Sequence, residues 1–115
     1  AQVFRTNESL TQALADVKAL QARYADVHVQ DKSRQFNLDL LEAVELGFLL
    51  DLAEVVVTGA LAREESRGGH FREDFPSRDD EKFMRHTMAY RRGDEITLDY
   101  KPVVVTRYEP MERKY

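Results

Sequence analysis

The sequence predicts an α+β fold, mainly α: two long antiparallel helices, part of a helical bundle, then a charged loop and a C-terminal β-hairpin. Three observations carry that expectation. Apolar residues recur at spacings of three and four from Leu10 to Tyr24, the period of a helix with a face turned inward, and a second stretch from Leu38 is apolar nearly all round, as a helix buried on several sides would be. Beyond residue 87 the apolar period drops to two, the period of a strand. Between them, from Arg63 to Arg85, thirteen of 23 residues are charged, six Arg or Lys against seven Asp or Glu. The expected layout is one domain, with a helical part over 1–67, a charged loop over 68–87, and a hairpin and tail over 88–115.

The first helix is expected to start near Asn7. Thr6 suits the cap, and Glu8 in the first turn complements the positive end of the helix dipole. Leu10, Ala13, Leu14, Val17, Leu20 and Tyr24 form one apolar stripe, while Asp16, Lys18 and Arg23 point elsewhere. The pattern fades by Asp26, and an extended connection follows through Ser33. A second helix is expected from Leu38, capped by Asn37, to about Ser66, with Gly68 as its stop and Arg67 suiting its negative end. This helix is apolar nearly all round, so one partner helix cannot cover it. Gly47 and Gly59 each weaken it by about 1 kcal/mol relative to Ala, which marks them as places where another element comes close.

Ser77 or Asp79 can open a short helix through Met84. Then Met88 and Tyr90, and Ile96, Leu98 and Tyr100, alternate with polar neighbours around a turn at Gly93-Asp94. If both apolar sets share a face, the loop must have an odd number of residues, such as Arg92-Gly93-Asp94. The expected register therefore sets Tyr90 opposite Ile96 and Met88 opposite Leu98. Pro102 makes Val103-Val104-Val105 an edge segment at most. The tail from Arg107 to Tyr115 reads as irregular, and there is neither an internal repeat nor a low-complexity tract.

The totals set bounds. The 115 residues suffice for one domain, and 43% apolar residues for a core. A formal charge of −4 argues against sequence-independent nucleic-acid binding, so no nucleic-acid partner is expected. With no cysteine, the chain has no disulfide and no cysteine-held iron–sulfur or zinc site. The N-terminus lacks the layout of a secretory signal, and the missing initiator Met suggests a processed or excised fragment. The longest apolar run, between Glu45 and Asp51, is far short of the ~20 residues a membrane-spanning helix needs.

Candidate chemistry concentrates in the charged stretch. His70 with Asp74 could hold a metal, but no second histidine lies near them. His70 could serve as a general base beside Glu65 or Asp74. His86 lies on the apolar side of the first hairpin strand, where a hydrogen-bonded packing role is expected; His28 is expected to be exposed. Asp79-Asp80 is a poor glycosidase pair because adjacent carboxylates rarely converge on one bond. Gly68-Gly69 follows a helix, whereas a phosphate loop precedes one. Arg63, Arg67, Arg72 and Arg78, interleaved with Glu65, Glu73 and Asp74, can fix a loop through bidentate pairs. The alternative is a solvated loop whose pairs contribute ~0–1 kcal/mol each. The two glycines, Phe71 and Phe75 favour an ordered, partly buried loop.

The run Arg63, Glu65-Ser66-Arg67-Gly68, His70, Arg72, Asp74-Phe75-Pro76, Arg78-Asp79-Asp80, His86-Thr87 closely resembles the C-terminal domain of the succinate dehydrogenase and fumarate reductase flavoprotein subunit. The match extends back through Val3-Phe4-Arg5-Thr6 and Asn37 to Leu41, and forward to Pro110, Arg113 and Tyr115. Gly69 and Phe71 depart from the usual residues. L-aspartate oxidase shares an E-S-R-G-x-H segment, but the R-D-D and H-T continuation favours the dehydrogenase.

The resemblance implies a parent chain that oxidises succinate to fumarate with FAD and passes electrons to an iron–sulfur subunit. It implies a peripheral place on the cytoplasmic side of the inner (plasma) membrane, touching the membrane only indirectly through anchor subunits. The family's flavin- and substrate-binding motifs are not in this stretch, so no catalytic, cofactor-binding or metal residue is assigned here, and FAD is expected only in the parent chain. The stretch is expected to brace the upstream flavin-binding domain and the subunit contacts. Two alternatives are the C-terminal domain of L-aspartate oxidase and a free-standing helical interaction module. The apolar helix surface also predicts self-association of the isolated chain.

Overall fold

The computed structural model describes residues 3–111. The elements run β1 (Phe4–Arg5), α1 (Asn7–Tyr24), α2 (Leu38–Ala62), β2 (Phe71–Arg72), α3 (Asp80–Phe83), β3 (Arg85–Arg92) and β4 (Glu95–Pro102). The expected α+β, mainly helical class is the one observed.

Thr6 caps α1 through a reciprocal box, its hydroxyl accepting from the Ser9 amide and the Ser9 hydroxyl accepting from the Thr6 amide. Both exchanges satisfy amides that a helix start leaves open. Asn37 caps α2 by accepting from the Leu40 amide. The two helices run antiparallel. Tyr24, at the end of α1, donates its hydroxyl to the Ala43 carbonyl at 2.7 Å near the start of α2. Gln21 and Lys18, earlier in α1, reach Glu54, later in α2. A Cβ on Gly47 would lie 2.7 Å from the Tyr24 hydroxyl, so this glycine marks a close approach as expected. Gly59 does not: a Cβ there meets no described atom within 4 Å. The Leu20 end of the α1 stripe is exposed.

α2 ends at Ala62, four residues earlier than expected, because Arg63 turns to extended backbone and sends its side chain to the hairpin. Gly68 stops no helix. With Gly69 it forms a two-residue turn, Gly68 at φ 58°, across which Arg67 and His70 exchange backbone hydrogen bonds of 2.8 and 3.0 Å. Asp79 caps α3 through the Lys82 amide. The tail has no regular structure through Met111, as expected; Arg113 and Tyr115 lie outside the described residues.

The hairpin register departs from expectation. Arg92 pairs with Glu95, so the loop has two residues, Tyr90 faces Thr97 and Met88 faces Asp99. Gly93 alone takes positive φ (62°) at the first turn position, the pattern of a type II′ turn, whose twist matches the flanking strands. The inward face is therefore Ile96, Leu98 and Tyr100 on β4 with Arg85, Thr87 and Ala89 on β3. The Arg85 guanidinium lies 3.6 Å over the Tyr100 ring, so a cation takes a place the pattern gave to an apolar side chain. Met88, Tyr90 and His86 face outward, and His86 is exposed rather than packed.

β1 and β2 form a parallel pair joining Phe4 to Phe71 and Arg5 to Arg72, which brings the start of the chain to the charged stretch. Phe4 and Phe71 meet edge-to-face at 5.8 Å. The buried apolar residues, Leu10, Leu50, Val57, Ala60 and Phe83, lie between the helices and under the charged stretch.

Candidate functional site

Glu65 is fully buried. Its position just after α2 places its carboxylate between two arginines. Arg67 donates Nε to Oε1 at 2.9 Å and Nη2 to Oε2 at 3.1 Å, a bidentate pair. Arg63 Nη1 donates to Oε1, and the Asp79 amide donates to Oε2 at 2.9 Å. Burial alone would push the Glu65 carboxyl up. The hydrogen bonds from Arg67, the Asp79 amide and Arg63 outweigh it and hold the group below its ordinary range. The network continues outward: Arg67 Nη2 also donates to Asp80, and Arg78 holds the other Asp80 oxygen at 2.8 Å. Arg78 then donates to the Met111 carbonyl, tying down the tail.

Arg63 reaches the hairpin as well. It donates to the carbonyls of Phe83 and Arg85 and to the Thr87 hydroxyl. One side chain thus connects the end of α2, the end of α3 and the start of β3.

Arg72 is the second hub and is also fully buried. Nε and Nη2 grip the two oxygens of Asp74 at 2.8 and 2.6 Å. Nη1 donates to the Leu61 carbonyl at 2.9 Å and to Ala60 at 3.3 Å. These are orphan carbonyls of the last turn of α2, which has no basic residue of its own. Asp74 in turn accepts from the Asn7 amide at 2.8 Å, where α1 begins. One Arg–Asp pair therefore satisfies the negative end of one long helix and the positive end of the other. The Arg72 hydrogen bonds, helped by the Asn7 amide, hold the Asp74 carboxyl far below its ordinary range.

His70 bonds neither Glu65 nor Asp74. Its Nε2–H donates to the Arg63 carbonyl at 3.0 Å, and Nδ1 accepts from Arg5 Nη1 at 2.9 Å. A carbonyl only accepts, and Nδ1 must be bare to accept from a guanidinium, so the ring is neutral. Burial, with the charges of Arg5, Arg72 and Arg63, pushes the imidazole below its ordinary value against the pull of the Arg63 carbonyl.

The structure therefore brings together Arg63, Glu65, Arg67, Arg72, Asp74 and Arg78, as the sequence suggested. It adds Arg5 and Asp80, for which spacing gave no signal. Glu73 contributes its backbone amide, donated to the Arg5 carbonyl at 2.8 Å. Asp79 and Asp80 diverge, one capping α3 and the other bridging arginines. His28 is exposed. Among the described residues no group of three or more His, Asp or Glu is placed to hold a metal. The Gly68–Gly69 turn leads into β2 and not into a helix N-terminus. What this arrangement does chemically is join elements. Buried ion pairs tie the two helices and the hairpin to one another.

The family is shown by comparison. A family model described as the fumarate reductase flavoprotein C-terminus matches residues 1–115, and the chain belongs to that family. It is 44% identical over 116 residues to the fumarate reductase flavoprotein subunit of Mycobacterium tuberculosis, covering all of this chain and 20% of that protein. To the succinate dehydrogenase flavoprotein subunit of Rickettsia bellii it is 47% identical over 107 residues, covering 92% and 18%. A solved structure of a mutant Escherichia coli quinol fumarate reductase superposes with a TM-score of 0.90 at 39% identity, covering 96% of this chain and 19% of that one. The chain thus spans about a fifth of the length of these relatives.

Proposed function

We propose that this chain is the C-terminal brace of a FAD-dependent flavoprotein subunit that interconverts succinate and fumarate and exchanges electrons with an iron–sulfur subunit. The observation that carries the reading is the buried Arg63–Glu65–Arg67 network. The residues that build it are those of the run that resembles the family, and each serves to join elements. FAD, substrate and the groups that act on them belong to the parent chain outside these residues; no catalytic, cofactor-binding or metal residue is assigned here. The chain packs on the flavin-binding part of its own polypeptide. Its membrane association is indirect, through other subunits, on the cytoplasmic side of the inner membrane. No helix among the described residues is long and apolar enough to cross a membrane.

The test is turnover by the full-length protein with an artificial electron acceptor. Succinate oxidation, with no oxidation of L-aspartate, is the expected result; aspartate oxidation in its place would transfer the chain to the oxidase. Expressed alone, the chain is expected to retain no flavin absorbance and to self-associate through the open face of α2. A monodisperse monomer in light scattering contradicts the self-association.

A further inference from the structure

Phe36 has φ 51°, the one positive value at a non-glycine position among the described residues, and its side chain is 99% exposed. The left-handed region brings Cβ against the following carbonyl oxygen. A bulky residue there is an outlier that persists only where its surroundings over-determine it.

Asn37 and Asp31 supply those surroundings. The Asn37 amide group donates to the carbonyls of Asp31 and Ser33, each at 3.0 Å, while its Oδ1 caps α2. The Ser33 amide donates to Asp31 Oδ1 at 2.8 Å, and the Leu38 amide closes a tight turn onto the Phe36 carbonyl at 3.0 Å. Asn37 therefore clamps the loop and starts the helix at once, and Phe36 is turned outward between those two tasks. The clamp holds the strained backbone, but within the described residues nothing covers the ring.

We propose that Phe36 is an aromatic anchor, held ready by this clamp and seated in an apolar pocket on the remaining part of the parent flavoprotein polypeptide. The inference rests on reading the chain as the C-terminal domain of a larger flavoprotein. About four-fifths of its relatives' length lies outside this stretch, so the occupant is covalently at hand. Leu38, Leu40 and Leu41, next along the chain, are exposed too, and an apolar patch of this kind suits a permanent contact better than a transient one. Presenting the ring in a fixed geometry lowers the ordering cost of seating it. Buried aromatic anchors carry a large share of interface energy.

The test uses the full-length flavoprotein in its assembled complex, with the photocrosslinker p-benzoylphenylalanine incorporated at position 36. Cross-links mapped by mass spectrometry are expected within the same polypeptide, upstream of this stretch. Cross-links to another subunit, to a second copy, or to solvent only would overturn the proposal. Because the benzophenone is larger than Phe, hydrogen exchange in Phe36→Ala supplies an independent reading. Amides at 38–48 should exchange at least tenfold faster; unchanged exchange also overturns it. Succinate turnover is measured on the same samples. Turnover without the cross-link defeats only the anchor, and the cross-link in a protein that oxidises aspartate defeats only the enzyme assignment.

Discussion

The charged stretch after Arg63 and the apolar helix before it reverse the usual rule of burial. Glu65 and Arg72 are fully buried, while Phe48, Leu49 and Leu52 of α2 are each about 60% exposed. The difference lies in partners. Glu65 and Arg72 each have a bidentate match and further hydrogen bonds, so they can leave water. The outward side of α2 has no match among the described residues. Polarity by itself therefore does not locate the core of this domain. The stretch that looks most soluble holds it together, and the stretch that looks most core-like keeps an open outward side among the described residues.

The largest effect should come from removing a hub. Glu65→Ala leaves Arg63 and Arg67 without their buried counter-charge, and Arg72→Leu leaves Asp74 and the end of α2 unmatched. Each should cost about 3–5 kcal/mol, measured by denaturant unfolding of the full-length protein. A loss under 1 kcal/mol would mean that the stretch is solvated after all.

A smaller effect is expected at the helix contact. Gly47→Ala gains about 1 kcal/mol of helix propensity but drives a methyl into the Tyr24 hydroxyl, for a net loss of about 1–2 kcal/mol. Gly59→Ala in the 115-residue chain meets nothing and should instead raise the melting temperature. Opposite signs at the two glycines would sharpen the contrast between the covered and open faces of α2.

The pH response is next. His70 sits below its ordinary value in the fold, so the unfolded chain binds the extra proton, and stability is lost as pH falls below about 6.5. Glu65 and Asp74 are also depressed, so a second loss begins as pH falls below about 4.5. His70→Gln should remove the first limb of the melting profile and keep the second. A flat profile from pH 7 to 5 in the unaltered protein would show that the neutral ring is not required. The smallest change belongs to Asp51→Asn, which breaks an exposed pair with Arg91 and should leave the melting curve unmoved.

Much of this was legible in the sequence where a local rule applies. Thr6 and Asn37 were readable as caps, and Asp79 as one of two candidates with Ser77, because capping is a contact over three residues. The over-apolar α2 was readable from how little polar surface Leu46, Phe48, Leu49 and Leu50 leave on it. The hairpin register was not, because pattern reading counts arginine as polar while Arg85 lies flat on Tyr100 and belongs to the inner face. The β1–β2 pair was hidden because two residues carry no period. The roles of Glu65 and Arg72 were half legible. Their density announced pairing, but Asp80 as the outer acid, Arg5 on His70 and Arg72 closing α2 come from long-range folding that no spacing encodes.

The fastening role proposed for the charged stretch can be checked with Arg67→Ala in the full-length protein, following thermal melting and the Michaelis constant for succinate together. A lower melting temperature with the Michaelis constant unchanged is expected. A raised constant with melting intact would contradict it.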